Sequence, residues 1–262
     1  MDVRQVAWRS LYELLGSRVR RPEWAFMNYG YAPLDPRQET LALGPADEPD
    51  RMCIQLYDHV VGDVDLRGAD VLEVGCGRGG GSSFLARYRA PRTVTGVDLS
   101  RAGIALCRRY RHAPGLSFVQ GDALDLPFPD DSFDSVVNVE SSHCYPSVET
   151  FLAEVHRVLR PGGNLLFADL RGKVAMAELE ATLRTSPLEV VDMRDITPNV
   201  CTALEVDDDR RRALMDAWIP RPFHRPLERF VAVEGSSTHA RFRAGENRYV
   251  SARLVKTTTA LI

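Results

Sequence analysis

One carboxylate, three alternating glycines and two further aspartates, each near the end of an apolar run, have the types and spacing to hold a nucleotide-like ligand. The first set is Glu73-Val74-Gly75-Cys76-Gly77-Arg78-Gly79, continued by Gly80 and Gly81. Glycine has no Cβ, so it adopts positive φ and lets main-chain N–H groups come within bonding reach of a bound group. The segment from Ser82 to Arg89 reads as a helix whose positive N-terminal end faces the same ligand. Asp98, 23 residues past Gly75, ends the next apolar run, where a carboxylate accepts hydrogen bonds from both hydroxyls of a ribose. In Gly121-Asp122-Ala123 a third carboxylate can accept from an adenine amino group, while the neighbouring backbone N–H of Ala123 donates to the ring. His143 is the candidate general base, because an unperturbed imidazole titrates near neutrality. Glu140, three residues earlier, is placed to reach the ligand or to polarise that imidazole.

The elements that must position these groups alternate. Strands are expected at 71–75, 93–99, 116–120, 133–139 and 164–170, with helices at 50–61, 82–89, 102–112 and 148–159 between them. Such alternation specifies an α/β fold with a parallel sheet covered on both faces and ligands at the carboxyl ends of the strands. A turn is expected at Pro161-Gly162-Gly163, a helix at 174–184, a strand at 188–192, one helix over 200–218 and a closing strand at 249–256. The charge run from Asp207 to Arg212 reads as a solvated face. Residues 3–16 carry a helical stripe including Trp8, and Trp24, Phe26, Tyr29 and Tyr31 follow as a dense aromatic set. Residues 1–48 thus read as an N-terminal arm and linker, and 49–262 as the main domain, with an insertion at about 196–247 serving as a lid.

Composition narrows the function further. At 262 residues the chain supports one dominant core. A formal charge of −3 gives no basic field for nucleic acid. The five cysteines form no C-x-x-C pair and no cluster with histidine, which argues against a disulfide framework and against a metal site. No run approaches the ~20 apolar residues needed to span a bilayer, so the expectation is a soluble, cytoplasmic protein without stable membrane insertion.

Glu73 to Gly79, Asp98, Gly121-Asp122 and Leu159-Arg160-Pro161-Gly162-Gly163 together resemble the ordered motifs of class I S-adenosylmethionine (SAM)-dependent methyltransferases, over roughly residues 50–170. Met27-Asn28-Tyr29-Gly30-Tyr31, Val139 to Pro146 and Phe167-Ala168-Asp169-Leu170-Arg171 resemble the actinobacterial phthiotriolone/phenolphthiotriolone dimycocerosate O-methyltransferases and related natural-product enzymes. The resemblance implies a Rossmann-like, mostly parallel seven-stranded sheet with SAM as the cofactor. It implies Glu73, Gly75, Gly77, Gly79, Asp98, Asp122 and Ala123 as cofactor-binding residues, with Tyr29 and Tyr31 closing over the cofactor carboxylate. His143 and Glu140 become the catalytic pair.

The leading expectation is methyl transfer to a hydroxyl of an apolar polyketide-, lipid- or terpenoid-derived molecule. Methylating a neutral hydroxyl releases a proton, which His143 would accept. C-methylation of an alkene is the alternative, with Trp8, Trp24, Tyr29, Tyr31 and Phe223 as aromatic faces for a carbocation. Gly75, Gly77 and Gly80 also satisfy the dinucleotide pattern, which leaves an NAD-dependent oxidoreductase as a further class, and a non-catalytic SAM-binding regulator as another. The N-terminal arm is the expected surface for any homo-oligomer.

Overall fold

The computed structural model describes residues 23–35, 37–218, 232 and 234–257. The helix expected over 3–16, Trp8, and Phe223 all lie outside these residues. Seven strands form one sheet: β1 (Asp70–Val74), β2 (Thr93–Asp98), β3 (Leu116–Gln120), β4 (Phe133–Val139), β5 (Leu159–Gly172), β6 (Glu189–Asp195) and β7 (Asn247–Val255). Their order is β3-β2-β1-β4-β5-β7-β6, with β7 antiparallel to both neighbours and the other pairs parallel. The Rossmann-like, mostly parallel sheet implied by the sequence is therefore present. The chain reverses direction across the sheet at β1 and β4, whose carboxyl ends lie side by side.

Eight helices are described: α1 (Arg51–Val61), α2 (Gly80–Tyr88), α3 (Arg101–Tyr110), α4 (Val148–Val158), α5 (Lys173–Thr185), α6 (Thr197–Val206), α7 (Asp208–Trp218) and α8 (Ser237–Arg243). Every residue of β1 is buried, because helices cover both faces of the sheet. One core unites Leu56, Val60 and Phe84 with Val137, Val200 and Phe242, and draws in Phe26, Tyr29 and Tyr31 of the arm. The opposite core joins Leu72 and Val136 to Phe151, Leu152, Met176 and Leu183. Ser100 and Ser147 start α3 and α4 by accepting the N–H of Gly103 and Thr150.

Two expectations are corrected by tertiary contacts. Pro161 to Gly163 does not separate a helix from a strand, since β5 begins at Leu159, which pairs with Phe133. The segment 200–218 is broken at Asp207, and its charge run is not a solvated face. Asp207, Asp208 and Arg211 are buried. Arg210 pairs with Asp207 at 2.7 Å and with Asp50, on the edge of α1, at 2.8 Å. The described part of the expected insertion holds α6, α7 and α8, all between β6 and β7.

Candidate active site

The glycine loop leaves β1 and is drawn over β2, because Gly75 and Cys76 both donate their N–H to Val97 O, at 2.8 and 3.0 Å. A Cβ on Gly75, whose φ is +76°, would lie 1.8 Å from Ser141 Oγ. Only glycine therefore fits where this loop meets the exit of β4. Glu73 stands beneath the loop, buried, and accepts from Tyr57 Oη at 2.7 Å and from Ser82 Oγ. Its carboxylate thus ties β1 to the first turn of α2. Burial pushes its pKa up to about 7, even though the Ser82 and Tyr57 hydrogen bonds pull it down.

Asp98 closes the other side. One carboxylate oxygen accepts Gly77 N at 2.8 Å and the other accepts Ser100 N at 2.8 Å. Each carboxylate oxygen carries two lone pairs, the acceptor type that a ribose-like diol requires. Asp122 is exposed, accepts Leu124 N at 3.0 Å, and precedes Ala123, which packs with Val74 and Val97.

A solvent-open cleft runs along this loop, lined by Gly75, Gly77, Gly80, Glu140 and, from the arm, Ala25 to Asn28. The arm is fastened at one end by Gly80 N donating to Ala25 O at 3.2 Å and by Arg78 Nε donating to Trp24 O at 2.5 Å. Tyr29 donates its backbone N–H to Glu140 Oε1 at 2.6 Å and sets its ring edge-on to Phe242. Tyr31 instead stacks on His59 and is not among the residues lining the cleft.

Glu140 and His143 occupy the turn after β4. Glu140 has a φ of +47°, which directs its carboxylate back between the Tyr29 amide and Tyr249 Oη, 2.9 Å away. Burial raises its pKa to about 7, against the opposing effect of those donors. His143 Nδ1 lies 2.8 Å from Oδ1 of Asp169, at the end of the neighbouring strand. Asp169 is fully buried and its Oδ2 also takes Ser142 Oγ at 2.6 Å, His143 N at 2.9 Å and Arg171 at 3.0 Å. Burial opposes charge on His143, but the adjacent Asp169 carboxylate outweighs it and holds the imidazole pKa well above its ordinary value. A buried carboxylate can only accept here, so Nδ1 keeps its proton towards Asp169, and Nε2 is the nitrogen that loses its proton and becomes basic once the pH exceeds the raised pKa.

The residues around the loop fit SAM. Main-chain positions that a Cβ would block flank the cleft, and the Asp98 carboxylate at the end of β2 is bonded to the loop at Gly77. Sequence reasoning named Phe26 and Met27 in the arm and Arg78 in the glycine loop without assigning them to the cofactor cleft, and it missed Ala25 and the pair formed by Asn138 with Tyr145. Asn138 Nδ2 donates to Val74 O at 2.9 Å and to Tyr145 Oη at 3.0 Å beneath the loop. An asparagine in the middle of an apolar strand was the available signal for that pair. The arm contacts left none, because the arm takes part in them through its own backbone carbonyls, which every residue type carries.

A family model described as a methyltransferase domain matches residues 72–167. The chain is 43% identical over 242 residues to a phthiotriol/phenolphthiotriol dimycocerosates methyltransferase of Mycobacterium tuberculosis, covering 92% of this chain and 89% of that one. It is 44% identical over 220 residues to a fatty-acid O-methyltransferase of Mycolicibacterium smegmatis, covering 84% and 80%. Among solved structures, a cyclopropane synthase of Mycobacterium tuberculosis superposes with a TM-score of 0.70 at 15% identity, covering 93% of this chain and 97% of that one.

Proposed function

The chain belongs to the class I SAM-dependent methyltransferases, in the group of the phthiotriol/phenolphthiotriol dimycocerosates methyltransferases, and from that membership we propose that it methylates a hydroxyl of an apolar polyketide-, lipid- or terpenoid-derived molecule. When bound, SAM supplies a methyl group made electrophilic by its sulfonium. The chain's own residues then hold, align and take a proton. We assign the cofactor's main-chain contacts to Gly75, Gly77 and Gly79, its ribose to Asp98 and its adenine to Asp122 and Ala123. Glu73 acts from beneath, by fixing the loop to α2. Tyr29 acts through its backbone, by docking the arm on Glu140. Tyr31 supports the same arm from its stack on His59.

The observation that carries the hydroxyl reading is the His143–Asp169 hydrogen bond. It orients the imidazole so that Nε2 can receive the acceptor's proton while the oxygen attacks in line. A carboxylic acid acceptor arrives already ionised and asks nothing of a base, whereas an alkene needs one only after methyl transfer, to take a proton from the resulting carbocation. Residues 1–48 and the 196–247 insertion are assigned to covering the acceptor. The reading also places the reaction in the cytoplasm, where five unpaired thiols are at home. Among the described residues no helix is long and apolar enough to cross a membrane.

Incubation of the purified protein with methyl-labelled SAM and a panel of long-chain alcohols, diols and fatty acids tests the proposal. The expected product is an O-methyl ether resistant to alkaline hydrolysis. Label found only in alkali-labile esters, or on carbon, overturns it.

A further inference from the structure

The wall of the cleft formed by Ala25 to Asn28 is fastened from the far end of the chain. Arg211, on α7, is buried to 6% exposure and pairs through Nε with Asp207 Oδ2 at 3.0 Å. Its Nη2 donates to Tyr29 O at 2.9 Å and, more weakly, to Asn28 O at 3.4 Å. Tyr29 is therefore gripped on both sides of its backbone, with its carbonyl on Arg211 and its N–H on Glu140. The next residues are held as closely. Tyr31 N donates to Met52 O at 2.9 Å, and Gly30 comes so near α1 that a Cβ would lie 2.9 Å from the Met52 side chain. Ala32 and Asn199, on α6, exchange hydrogen bonds at 3.2 and 3.0 Å. Two helices of the late insertion thus hold one end of a strap whose other end lies on the glycine loop.

We infer that Arg211 is a positioning residue for the cofactor cleft: from outside the cleft it fixes the carbonyls of Asn28 and Tyr29 and so sets the place of the arm wall that faces the glycine loop. The inference rests on the SAM reading of that cleft. A guanidinium suits the task because its planar fork serves a carboxylate on one edge and carbonyls on another, which a lysine ammonium cannot do in the same geometry. The Asp207 partner offsets the cost of burying the charge and fixes the plane of the fork. The buried charges of this run thus have a purpose at a distance, since among the described residues none of those lining the cleft belongs to α7.

The test is calorimetric titration of S-adenosylhomocysteine into the wild-type chain, Arg211→Met and Arg211→Lys, alongside steady-state kinetics and thermal unfolding. Arg211→Met keeps most of the buried volume and removes the fork, whereas Arg211→Lys keeps the charge beside Asp207. Both variants are expected to bind S-adenosylhomocysteine roughly tenfold more weakly, the scale of losing a charge-assisted hydrogen bond. Both should raise the KM for SAM while keeping kcat at saturating SAM within about twofold, because the His143 base is untouched. Unchanged affinity and KM in a folded variant overturns the inference, as does an equal fall in kcat at all SAM concentrations. If neither variant folds, Arg211 is a stability element and the inference is also overturned. Failure of the wild-type chain to bind S-adenosylhomocysteine sinks the SAM reading of the cleft instead, so the two failures are distinguishable.

Discussion

Asp169 holds His143 twice, accepting the imidazole at Nδ1 over 2.8 Å and the backbone N–H of the same residue over 2.9 Å. The double contact fixes both the position and the tautomer of the ring. His143→Ala should lower kcat about 10²–10⁴-fold, the usual contribution of a positioned base, with binding of S-adenosylhomocysteine retained. Rapid-quench measurement of methyl transfer with a hydroxyl acceptor checks this, and an unchanged rate means that His143 is not the base.

Asp169→Asn keeps the shape of the site and removes the charge that raises the pKa of His143. The base form exists only above that pKa, so the wild-type rate should climb with pH through neutrality into the alkaline range. In the variant the limb should move towards lower pH while the maximal rate falls, since the uncharged amide no longer stabilises the imidazolium. A pH–rate profile of kcat for both proteins decides it, and coincident limbs would disprove the coupling.

Glu73 and Glu140 have folded pKa values near 7, above the ordinary 4.5, and burial is the first cause in both. At these two groups the native state therefore binds more protons than the unfolded chain from about pH 4.5 to about pH 7, so their contribution to stability is fully present below this window and is lost as pH rises through it. Glu140→Gln still accepts from Tyr29 and Tyr249 and should flatten part of the fall, with Glu73→Gln removing another part. Denaturant midpoints at pH 5 and pH 8 for the three proteins provide the check; parallel slopes count against it.

Gly75 and Gly162 both have positive φ, but only Gly75 has no room for a side chain. Gly162→Ala should cost about 1 kcal/mol of stability, the penalty of an L residue in the left-handed region, and leave S-adenosylhomocysteine binding intact. Gly75→Ala should abolish that binding, and the added Ser141→Gly change should restore part of it by removing the hydroxymethyl group in the way. Titration of all three variants is the measurement, and equal binding by Gly75→Ala would refute the loop assignment.

Asp98 faces both the loop and the expected ribose, so Asp98→Asn should weaken S-adenosylhomocysteine binding about tenfold or more, through a lost charge-assisted acceptor. Asp122 should matter less, with Asp122→Ala costing about threefold, because an exposed carboxylate trades a hydrogen bond to water for the one to the ligand. Binding isotherms rank the two, and a larger effect at Asp122 would reverse their assigned roles.

The β/α order from residue 50 to 170 was legible because the central strands, β1 and β4 above all, are short apolar runs and the helices between the strands carry an apolar stripe. The loop glycines and Asp98 were legible for a related reason, since their work depends on local spacing. His143 could be nominated by its place after β4, but its partner Asp169 comes from the next strand, and pairing between strands has no mark in local periodicity. The run from Asp207 to Arg212 misled because a dense charge pattern at helical spacing is the same whether it faces water or Asp50 and the carbonyls of Asn28 and Tyr29. Those partners lie more than 150 positions away in the chain.

Glu140 keeps its backbone at φ +47°, a conformation that costs a non-glycine residue roughly 1–2 kcal/mol. Glycine at this position would relieve that strain and release the arm in the same stroke. Tyr29 N–H and Tyr249 Oη would then lose their shared acceptor inside the protein, a loss of about 1–3 kcal/mol per stranded group that exceeds the strain relieved. A screen that scores thermal tolerance and turnover separately would therefore find Glu140→Gly poor in both, with the strained backbone retained because the carboxylate it aims is worth more than the strain.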